Sequence, residues 1–517
     1  MKLIHLLLLV SSMCFAGKLS PLQTNIYYVD AIEGQDTNTG TSAEQAWKSL
    51  SRVNSHKFKP GDKVLFRAGR IYEGQFKPSG SGAKGSPIKA DSYGEGYKPR
   101  LQGNGRVAAT VHLYNAEYWE IQNLAVSNQG AGRSPKRYGV HVELKDFGTA
   151  RDIVLKNLDV HDVNGSLIKK EGGGAGIVFS NSGDSIRSNF NGLTVESCTL
   201  SRTARNGILI NGNWERTAWL PNLNVVIKKN LLEGVPGDGI VPIGCDGALI
   251  EHNVMRDCPR LLPDGEAAAG IWPWSSDNTI IQYNEVSDHK APWDAQGFDS
   301  DWNCRNTVIQ YNYSHDNEGG FVLICDDGAA DKRWSAGNTG TIIRYNLSVN
   351  DGLRNTGKHA GFSPVIHIAG PVKNTMIYNN VLYITSKPAG VDSALLEISD
   401  WAGFADSTVF ANNIFYAKGK VKYRLNKGNR IIFENNIYYG THIDRPKDPF
   451  AIVSDPAFMI KEAPGRPGFY SGQNFRVSSR SPAIAKGKIM TKDPVKDFFG
   501  NTVKQNARPS IGLHQVN

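Results

Sequence analysis

The sequence predicts an all-β fold, a right-handed parallel β-helix in which short strands stack coil upon coil. Three observations support this prediction: a repeated strand that ends in asparagine, a second repeated strand that starts at glycine, and a spacing of repeats that suits one coil each. The repeated stretches alternate apolar and polar residues with a period of two and contain few strong helix formers. Helical solenoids are therefore excluded, and the sequence carries no β-propeller blade signature.

The first repeated strand is a run of β-branched and apolar residues closed by asparagine. Its clearest copies are NTIIQYN at 278–284 and NTVIQYN at 306–312. From Asn230 onward, consecutive copies end between 23 and 34 residues apart, as expected of coils with turns of variable length. Stacking places like residues above like, so we predict a column of asparagines joined by amide hydrogen bonds. The copies end at Asn157, Asn230, Asn253, Asn284, Asn312, Asn346, Asn380, Asn413 and Asn436.

The second repeated strand starts with glycine followed by a large apolar residue, as in Gly297-Phe298 and Gly320-Phe321. If the apolar residue points inward, alternation turns the next residue outward, together with the one two positions further on. This register predicts two outward columns. The first reads Val178, Leu209, Val241, Trp272, Asp299 and Val322, and the second reads Ser180, Asn211, Ile243, Trp274, Asp301 and Ile324.

One part of these columns is chemically unusual. Trp272 and Trp274 are expected beside Asp299 and Asp301 of the next coil, about one strand spacing (~4.8 Å) away. Aromatic rings bind the C–H faces of sugars, and paired carboxylates are the usual groups of glycosidic chemistry. We therefore predict a groove in which the tryptophans bind substrate and the aspartates are catalytic. The alternative is that the tryptophans pack under a loop and the aspartates accept hydrogen bonds from turn amides.

The turns around this strand add further charged groups. Acids on the strand with bases at its rim would suit proton transfer and the binding of an anionic substrate. The further catalytic candidates are Asp294, Glu318, His289 and Lys290, and the further substrate-binding candidates are Arg205, Arg333 and His359.

The N-terminus predicts export. Lys2 precedes an apolar run from Leu3 to Val10, and small side chains lie three places and one place before a cut after Ala16. Residues 1–16 are typical of a secretory signal peptide and are too short to span a bilayer. Cys14 offers lipoprotein anchoring as an alternative, although Met13 stands where a small residue is expected. We expect a secreted or periplasmic chain without a transmembrane segment.

The mature chain is expected to divide into a capping segment that leads into the coils (17–106), the coils with the active-site face (107–455) and a C-terminal cap (456–517). Its cysteines are odd in number, widely spaced and without a CxxC pair, which favours neither a zinc site nor a disulfide scaffold. We interpret them as buried apolar residues. They are Cys198, Cys245, Cys258, Cys304 and Cys325.

The formal charge is +9 at pH 7, and removal of the signal peptide takes away one lysine and no acid. A basic exported protein favours an anionic partner, which outside the cell indicates an acidic polysaccharide or oligosaccharide. A basic surface with no specific partner is the alternative. The sequence shows no dense basic stripe with interleaved aromatics, so we expect no nucleic-acid partner. We expect a monomer.

Short motifs frame nearly the whole mature chain. They are YYVD at 27–30, the Gly-x-Asp-x-Asn-x-Gly-Thr-Ser run at 34–42, WKSL at 47–50, PGDKVLF at 60–66, SPAI at 481–484 and PSIG at 509–512. These motifs resemble the two ends of secreted bacterial β-helix carbohydrate-active enzymes of the pectate-lyase-like superfamily. The resemblance implies polysaccharide lyases and glycoside hydrolases as the leading candidates, with epimerases and non-catalytic adhesins behind them.

Two reaction mechanisms compete for the acid pair. In hydrolysis, one carboxylic acid protonates the leaving oxygen while a carboxylate attacks or activates water. Asp299 and Asp301 alternate on one strand, with Cα atoms about 6.6 Å apart, which suits either the retaining or the inverting separation. In β-elimination, a base removes the proton beside a uronate carboxyl group, and positive charge or a metal stabilises the resulting anion.

Residues 294–299 resemble the acidic calcium-binding turn of some β-helix pectate lyases, which implies calcium as a cofactor. The segment has fewer acids before Gly297 than that pattern, and Val322 is expected where such an enzyme has a catalytic lysine. Because basic charge favours a uronate-containing glycan, with or without sulfate groups, we predict β-elimination by a carbon–oxygen lyase or dehydratase. The alternatives are a glycoside hydrolase that uses Asp299 and Asp301, and a carbohydrate-binding solenoid without turnover.

Overall fold

Strands that pair in parallel from coil to coil dominate the computed structural model, which describes residues 24–328, 337–385, 387, 389–459, 473–491, 495–504 and 506–516. The signal peptide and Arg333 lie outside these residues. The strands described, β1 to β40 in chain order, are Ile26–Val29, Lys63–Arg67, Ile71–Glu73, Ile88–Tyr93, Arg100–Gln102, Ala109–Tyr114, Trp119–Gln122, Ala125–Asn128, Arg137–Lys145, Thr149–Lys156, Asp159–Val163, Gly174–Ser182, Asn189–Glu196, Thr199–Ser201, Asn206–Asn211, Asn222–Lys228, Leu231–Glu233, Ile240–Ile243, Cys245–Asp246, Leu249–Glu251, Val254–Arg256, Ala267–Ala268, Ile280–Gln282, Glu285–Ser287, Trp293–Asp294, Gln296–Ser300, Val308–Gln310, Tyr313–His315, Gly320–Cys325, Ile342–Arg344, Leu347–Val349, Ile366–Ala369, Met376–Tyr378, Val381–Ile384, Ala394–Ser399, Asp406–Ala411, Ile414–Arg424, Asn429–Glu434, Ile437–Ile443 and Ile452–Val453.

Helices are few and short. The α-helix α1 (Leu50–Asn54) begins at Ser49, whose hydroxyl accepts a hydrogen bond from the Arg52 amide at 3.1 Å. Short 3₁₀ helices in the described residues include Lys169–Glu171 and Arg216–Ala218. Across the part of the chain that the structure describes, no helix is long and apolar enough to cross a membrane.

The ladder begins earlier than the expected boundary at residue 107. Strand β1 pairs with β2, β2 with β4, and β4 with β7, all in parallel. Residues 26–93 therefore already belong to stacked coils. At the other end, Phe458 and Phe475 pack against Tyr383, and Phe498 belongs to the same apolar cluster on the last coils.

The predicted asparagine column is confirmed. From Asn230 to Asn413, each side-chain amide donates to the Oδ1 atom of the next asparagine at 2.9–3.1 Å. Each of these Oδ1 atoms also accepts the backbone amide of the preceding column member, as Asn312 accepts from Asn284 at 2.9 Å. The column ends where Asn436 donates to Asp448 at 2.9 Å. Because all these amides are buried, the ladder satisfies polar groups that water cannot reach.

Asn157 was expected in this column, but it lies outside. It follows Lys156, which pairs in the sheet with Glu196, and Glu196 pairs with Lys228, the residue two before Asn230. Asn157 therefore occupies the position before the column, where the backbone has a positive φ of 51°. Its amide donates instead to Asn123 at 2.6 Å.

The second repeated strands form the outer face that carries the acids. We call this set the site sheet: β6, β9, β12, β15 and β18, then residues 271–274, and then β26, β29, β32 and β35. Ile240 bridges to Ile271 and Ile271 to Phe298, so the predicted register holds from Val178 to Asp299.

The register differs from the prediction at the next coil. Phe298 pairs with Val322 and Asp299 with Leu323, a shift of one residue. Gly320 has a φ of 132°, and a Cβ atom there would lie 2.3 Å from the carbonyl oxygen of Pro364. This glycine conformation places Val322 inside the coil, so its expected outward position is wrong. Beyond Asp299 the first column reads Leu323, His367 and Glu397, and beyond Asp301 the second reads Cys325, Ala369 and Ser399.

Candidate active site

A cavity of about 420 Å³ opens on the outer face of the site sheet. Its floor is formed by the outward residues of β26, β29 and β32, and its walls by turns from other coils. The residues that line it are Lys169, Ala267, Trp293, Asp294, Asp299, Asp301, Trp302, Leu323, Cys325, His367, Ala369, Ser399, Asp400 and Trp401.

Four aspartates line this cavity: Asp400 comes from a later turn, and the other three lie on or next to β26. Asp299 lies on β26 and is only 4% exposed, Asp301 follows the same strand on the same face, and Asp294 precedes it. Asp299, Asp301 and Cys325 each present a donor atom within 4.8 Å of the others. The expected clustering of Asp294, Asp299 and Asp301 is thus observed as geometry, and their catalytic role remains a prediction.

The cavity raises the pKa of all three carboxyl groups. Burial, followed by the charge of Asp301, raises the pKa of Asp294 to about 7 and that of Asp299 well above its usual range. Burial raises the pKa of Asp301 to about 6, opposed by hydrogen bonds from the Cys325 thiol at 3.0 Å and the Trp302 amide at 2.7 Å. Near neutral pH the cluster therefore holds both protonated and ionised carboxyl groups, as acid–base catalysis requires.

A strained turn positions Asp294. Asp294 and the following Ala295 have positive φ values of 59° and 63°, a conformation that side-chain-bearing residues adopt at a cost. Gly319 packs so closely that a Cβ atom there would lie 1.7 Å from the Asp294 carbonyl oxygen. The buried Arg354 donates to that same carbonyl oxygen and to the Phe362 carbonyl oxygen at 2.9 Å. The turn is thus held by contacts from two later coils.

The aromatic walls of the cavity are Trp293, Trp302 and Trp401. Trp401 is 44% exposed, so its ring is accessible to a ligand. Trp293 is braced from behind by Phe362, with ring centroids 5.4 Å apart and nearly parallel planes. Rings in this arrangement offer faces on which a sugar can stack.

The expectation that Trp272 and Trp274 form the exposed platform is wrong. Both point away from the coil interior, but Trp272 is only 6% exposed, beneath Lys169, whose Nζ lies 5.2 Å from the ring centroid. The indole N–H of Trp272 donates to Asp238 at 3.1 Å. Trp274 packs against Trp302 with centroids 5.3 Å apart. The two tryptophans therefore pack against residues that line the cavity, Lys169 and Trp302, and do not line it themselves.

Three of the other predicted residues are engaged in structural contacts away from the cavity. Arg205 is buried and forms ion pairs with Asp238 at 3.2 Å and Glu266 at 2.8 Å, so it is not available to a substrate. Glu318 forms an ion pair with Arg260. His289 is fully buried, its Nε2 lies 2.8 Å from the Gly237 carbonyl oxygen, and burial lowers its pKa to about 4. These contacts contradict the expected substrate-binding and catalytic roles.

Two further candidates lie outside the lining, and one lies outside the described residues. Lys290 is half-buried beside His289 and does not line the cavity. His359 contacts the back of Trp293, with ring centroids 3.8 Å apart, so it belongs to the rim of the site. Arg333 lies outside the residues that the structure describes.

Sequence reasoning missed several lining residues. His367 occupies the outward column two coils beyond Asp299, and its Nε2 lies 2.8 Å from the Ser399 hydroxyl. Burial lowers the pKa of His367 to about 4, so its ring is neutral at neutral pH. A register shifted by one at Gly320 would have revealed it. Lys169 comes from a short 3₁₀ helix and Trp401 from a turn, and the strand pattern gives no signal for either.

The potential metal ligands at the acid cluster are Asp299, Asp301 and Cys325, a group that includes a sulfur atom. Calcium binds six to eight oxygen atoms, whereas the group of donor atoms here includes the Cys325 sulfur beside the two aspartates. Calcium at residues 294–299 therefore remains a prediction without support from this donor set.

The fold and the site together define a class: a β-helix protein with an acid cluster in an aromatic-walled cavity. Residues 175–346 match a family model described as right handed beta helix region. The chain is 26% identical to a lacto-N-biosidase of Bifidobacterium longum subsp. longum over 602 residues, an alignment that covers 94% of this chain and 36% of that protein. The chain thus spans about a third of the length of this curated relative.

Solved structures give a consistent result. The crystal structure of a GH136 lacto-N-biosidase from Eubacterium ramulus has a TM-score of 0.60 at 28% identity, covering 80% of this chain and 67% of that one. A complex of XylC with xylose has a TM-score of 0.51 at 11% identity, covering 95% and 98%, and supports the fold alone. The right-handed parallel β-helix and the resemblance to carbohydrate-active enzymes are confirmed. Among the two mechanisms, the similarities fit the hydrolase alternative better than the predicted elimination.

Proposed function

We propose that this chain is a glycoside hydrolase whose catalytic groups are the aspartates of the cavity. The observation that carries the proposal is a set of three carboxyl groups with separated pKa values, enclosed by Trp293, Trp302 and Trp401. Of the three, Asp299 is buried, and Asp294 and Asp301 are half-buried. One protonated acid beside one ionised carboxylate is the equipment that cleavage of a glycosidic bond requires.

The charge of the cavity supports a neutral sugar as substrate. Elimination on a uronate needs cationic groups around the substrate carboxylate and the developing anion. Among the described lining residues, Lys169 is the cation, His367 is neutral, and four aspartates supply the acidic groups. A uronate would meet carboxylates, so we replace the acidic glycan expected from net charge with a neutral oligosaccharide. The similarity to lacto-N-biosidases favours a lacto-N-bioside.

We assign Asp301 as the nucleophile. Its carboxylate accepts hydrogen bonds from the Trp302 amide and the Cys325 thiol, which favour its charged form over those of its two neighbours. Its oxygen attacks the anomeric carbon while the bond from that carbon to the leaving oxygen breaks. Because Asp301 attacks the anomeric carbon directly, we propose a double displacement, so the released sugar is expected to keep its anomeric configuration.

We assign Asp294 as the proton donor. With its pKa raised to about 7, it is protonated at mildly acidic pH and can transfer its proton to the leaving oxygen. In the second step it takes a proton from water, whose oxygen attacks the anomeric carbon and releases Asp301. Asp299, whose pKa is raised further by burial, stays protonated and adds no second negative charge beside Asp301.

The test uses the whole chain with an aryl lacto-N-bioside and, separately, with a panel of acidic polysaccharides. Hydrolysis in water enriched in heavy oxygen is expected to give saturated products that carry the heavy atom, and Asp301→Asn is expected to abolish them. An ultraviolet-absorbing unsaturated product from a uronate would instead establish elimination and overturn the proposal.

We also propose that the reaction takes place outside the cytoplasm, because residues 1–16 have the pattern of a secretory signal peptide.

A further inference from the structure

A second group of potential ligands lies on the same outer face, near the N-terminal end of the site sheet. His112 on β6 and His141 on β9 are paired residues on neighbouring strands. Glu143 lies two residues after His141 on the same strand, so alternation turns it to the same side. All three side chains are partly exposed, with 15% of His112 and 31% of Glu143 accessible.

The three side chains converge. The two imidazole rings stack with centroids 5.2 Å apart and an angle of 7° between their planes. His112 Nε2 lies 2.9 Å from Glu143 Oε2, and one donor atom from each residue lies within 4.8 Å of the others. Tetrahedral zinc with bonds of about 2.0–2.2 Å places its ligand atoms roughly 3.3–3.6 Å apart, so small side-chain rotations are enough to enclose an ion.

We propose that His112, His141 and Glu143 form a binding site for a divalent transition metal of the zinc class. Two imidazoles and one carboxylate are the donor set that zinc prefers, whereas calcium and magnesium prefer oxygen donors alone. With three protein ligands, a fourth position stays open to water. Nothing in the glycoside hydrolase mechanism uses this group, because five coil steps of about 4.8 Å separate His141 from Asp299, roughly 24 Å along the helix.

The surroundings support metal binding. The Ser180 hydroxyl on β12 lies 2.7 Å from His141 Nε2 and can orient the ring, as outer-shell partners of metal ligands commonly do. An ion held here would connect β6 to β9 and stabilise the N-terminal coils in the folded state.

The test measures Co²⁺ and Zn²⁺ binding to the chelator-treated whole chain. Co²⁺ is expected to give a visible absorption band that Zn²⁺ displaces, and Zn²⁺ is expected to raise Tm. His141→Gln and Glu143→Gln should each weaken binding by about tenfold or more and remove the rise in Tm. Hydrolysis should be unchanged in both variants, so failure of this site and failure of the proposed function are distinguishable.

Two controls locate the ion. His252→Gln removes an exposed histidine that stacks on Tyr283, and Asp301→Asn alters the second group of donor atoms, so both are expected to keep the Co²⁺ band. Equal Co²⁺ affinity of the wild type and Glu143→Gln would overturn the site, as would loss of the band in Asp301→Asn alone. Circular dichroism and metal-free melting confirm folding. If His141→Gln does not fold, Glu143→Gln decides the question, because Glu143 is the more exposed ligand.

Discussion

The buried guanidinium of Arg354 donates a hydrogen bond to the main-chain oxygen of Asp294, 60 residues earlier in the chain. This bond reaches the backbone of the proposed acid, and the positive charge of Arg354 also opposes the rise in the pKa of the Asp294 carboxyl group. Arg354 is therefore a positioning residue that acts through Asp294 and has no place in the cavity lining.

Removal of this charge is expected to shift the pH profile. Activity is lost as pH rises through the pKa of Asp294, because the donor loses its proton. Arg354→Gln should raise that pKa and move the basic limb of kcat/KM to higher pH, with kcat lower by about tenfold. Arg354→Lys keeps the charge and should leave the limb in place. A profile that does not move in Arg354→Gln would show that the residue supports the fold alone.

The wild-type pH profile is expected to be a narrow bell. The acidic limb follows Asp301, with a pKa of about 6, since protonation removes the nucleophile. The basic limb follows Asp294, with a pKa of about 7. The two limbs belong to a coupled cluster, so kcat/KM measured across pH reports the pair. A flat profile between pH 5 and 9 would contradict these assignments.

Substitution of the acids should separate their roles. Asp301→Asn is expected to lose about 10²-fold or more in turnover on every substrate, because the attacking oxygen is lost. Asp294→Asn should lose as much on a natural oligosaccharide and far less on an aryl glycoside whose leaving group needs no proton. Asp184→Asn, at an exposed acid of a turn, is the matched control with full activity. Equal losses of Asp294→Asn on both substrates would remove it as the donor.

The tryptophans should divide into binding and supporting residues. Trp401→Ala is expected to weaken substrate binding by about 1–3 kcal/mol, since an exposed stacking surface is lost, with little change in Tm. Trp272→Ala should instead lower stability by about 3–5 kcal/mol, because it leaves a cavity and removes one hydrogen bond to the buried Asp238. Inhibition constants for the released sugar and thermal melting measure the two effects. Weaker substrate binding in Trp272→Ala at unchanged stability would instead support the prediction that Trp272 is an exposed surface for substrate binding.

The asparagine column should contribute strongly to stability. Asn284→Ala removes the acceptor of the Asn253 amide and the donors to Asn312 and Ile250, all buried, and should cost about 1–3 kcal/mol for each polar group left unsatisfied. Asn157→Ala, outside the column and partly exposed, should cost less. Denaturant unfolding compares the two variants. An equal loss of unfolding free energy in both would show that the asparagine column does not contribute more to stability than a hydrogen bond outside it.

The sequence by itself determined the coils, the column from Asn230 onward and the shared outward face of Asp299 and Asp301. These features follow from alternation along a strand and from repetition between coils, both of which are local and visible in one dimension. For Asn157 the same pattern was off by one residue, because the residue that aligns with the column there is Leu158.

Only the tertiary structure decided what covers each face and which turns meet. Gly319 and Gly320 are adjacent, so the strand pattern allowed two registers. The close approach of Gly320 to Pro364 in the folded chain selects the register in which His367 faces outward. Lys169 covers Trp272 from a short 3₁₀ helix about a hundred residues earlier, and Trp401 lines the cavity from a turn about a hundred residues later than Asp301. Turns of variable length have no period, so their packing depends on the assembled coils, and the chemistry of this site lies where they meet.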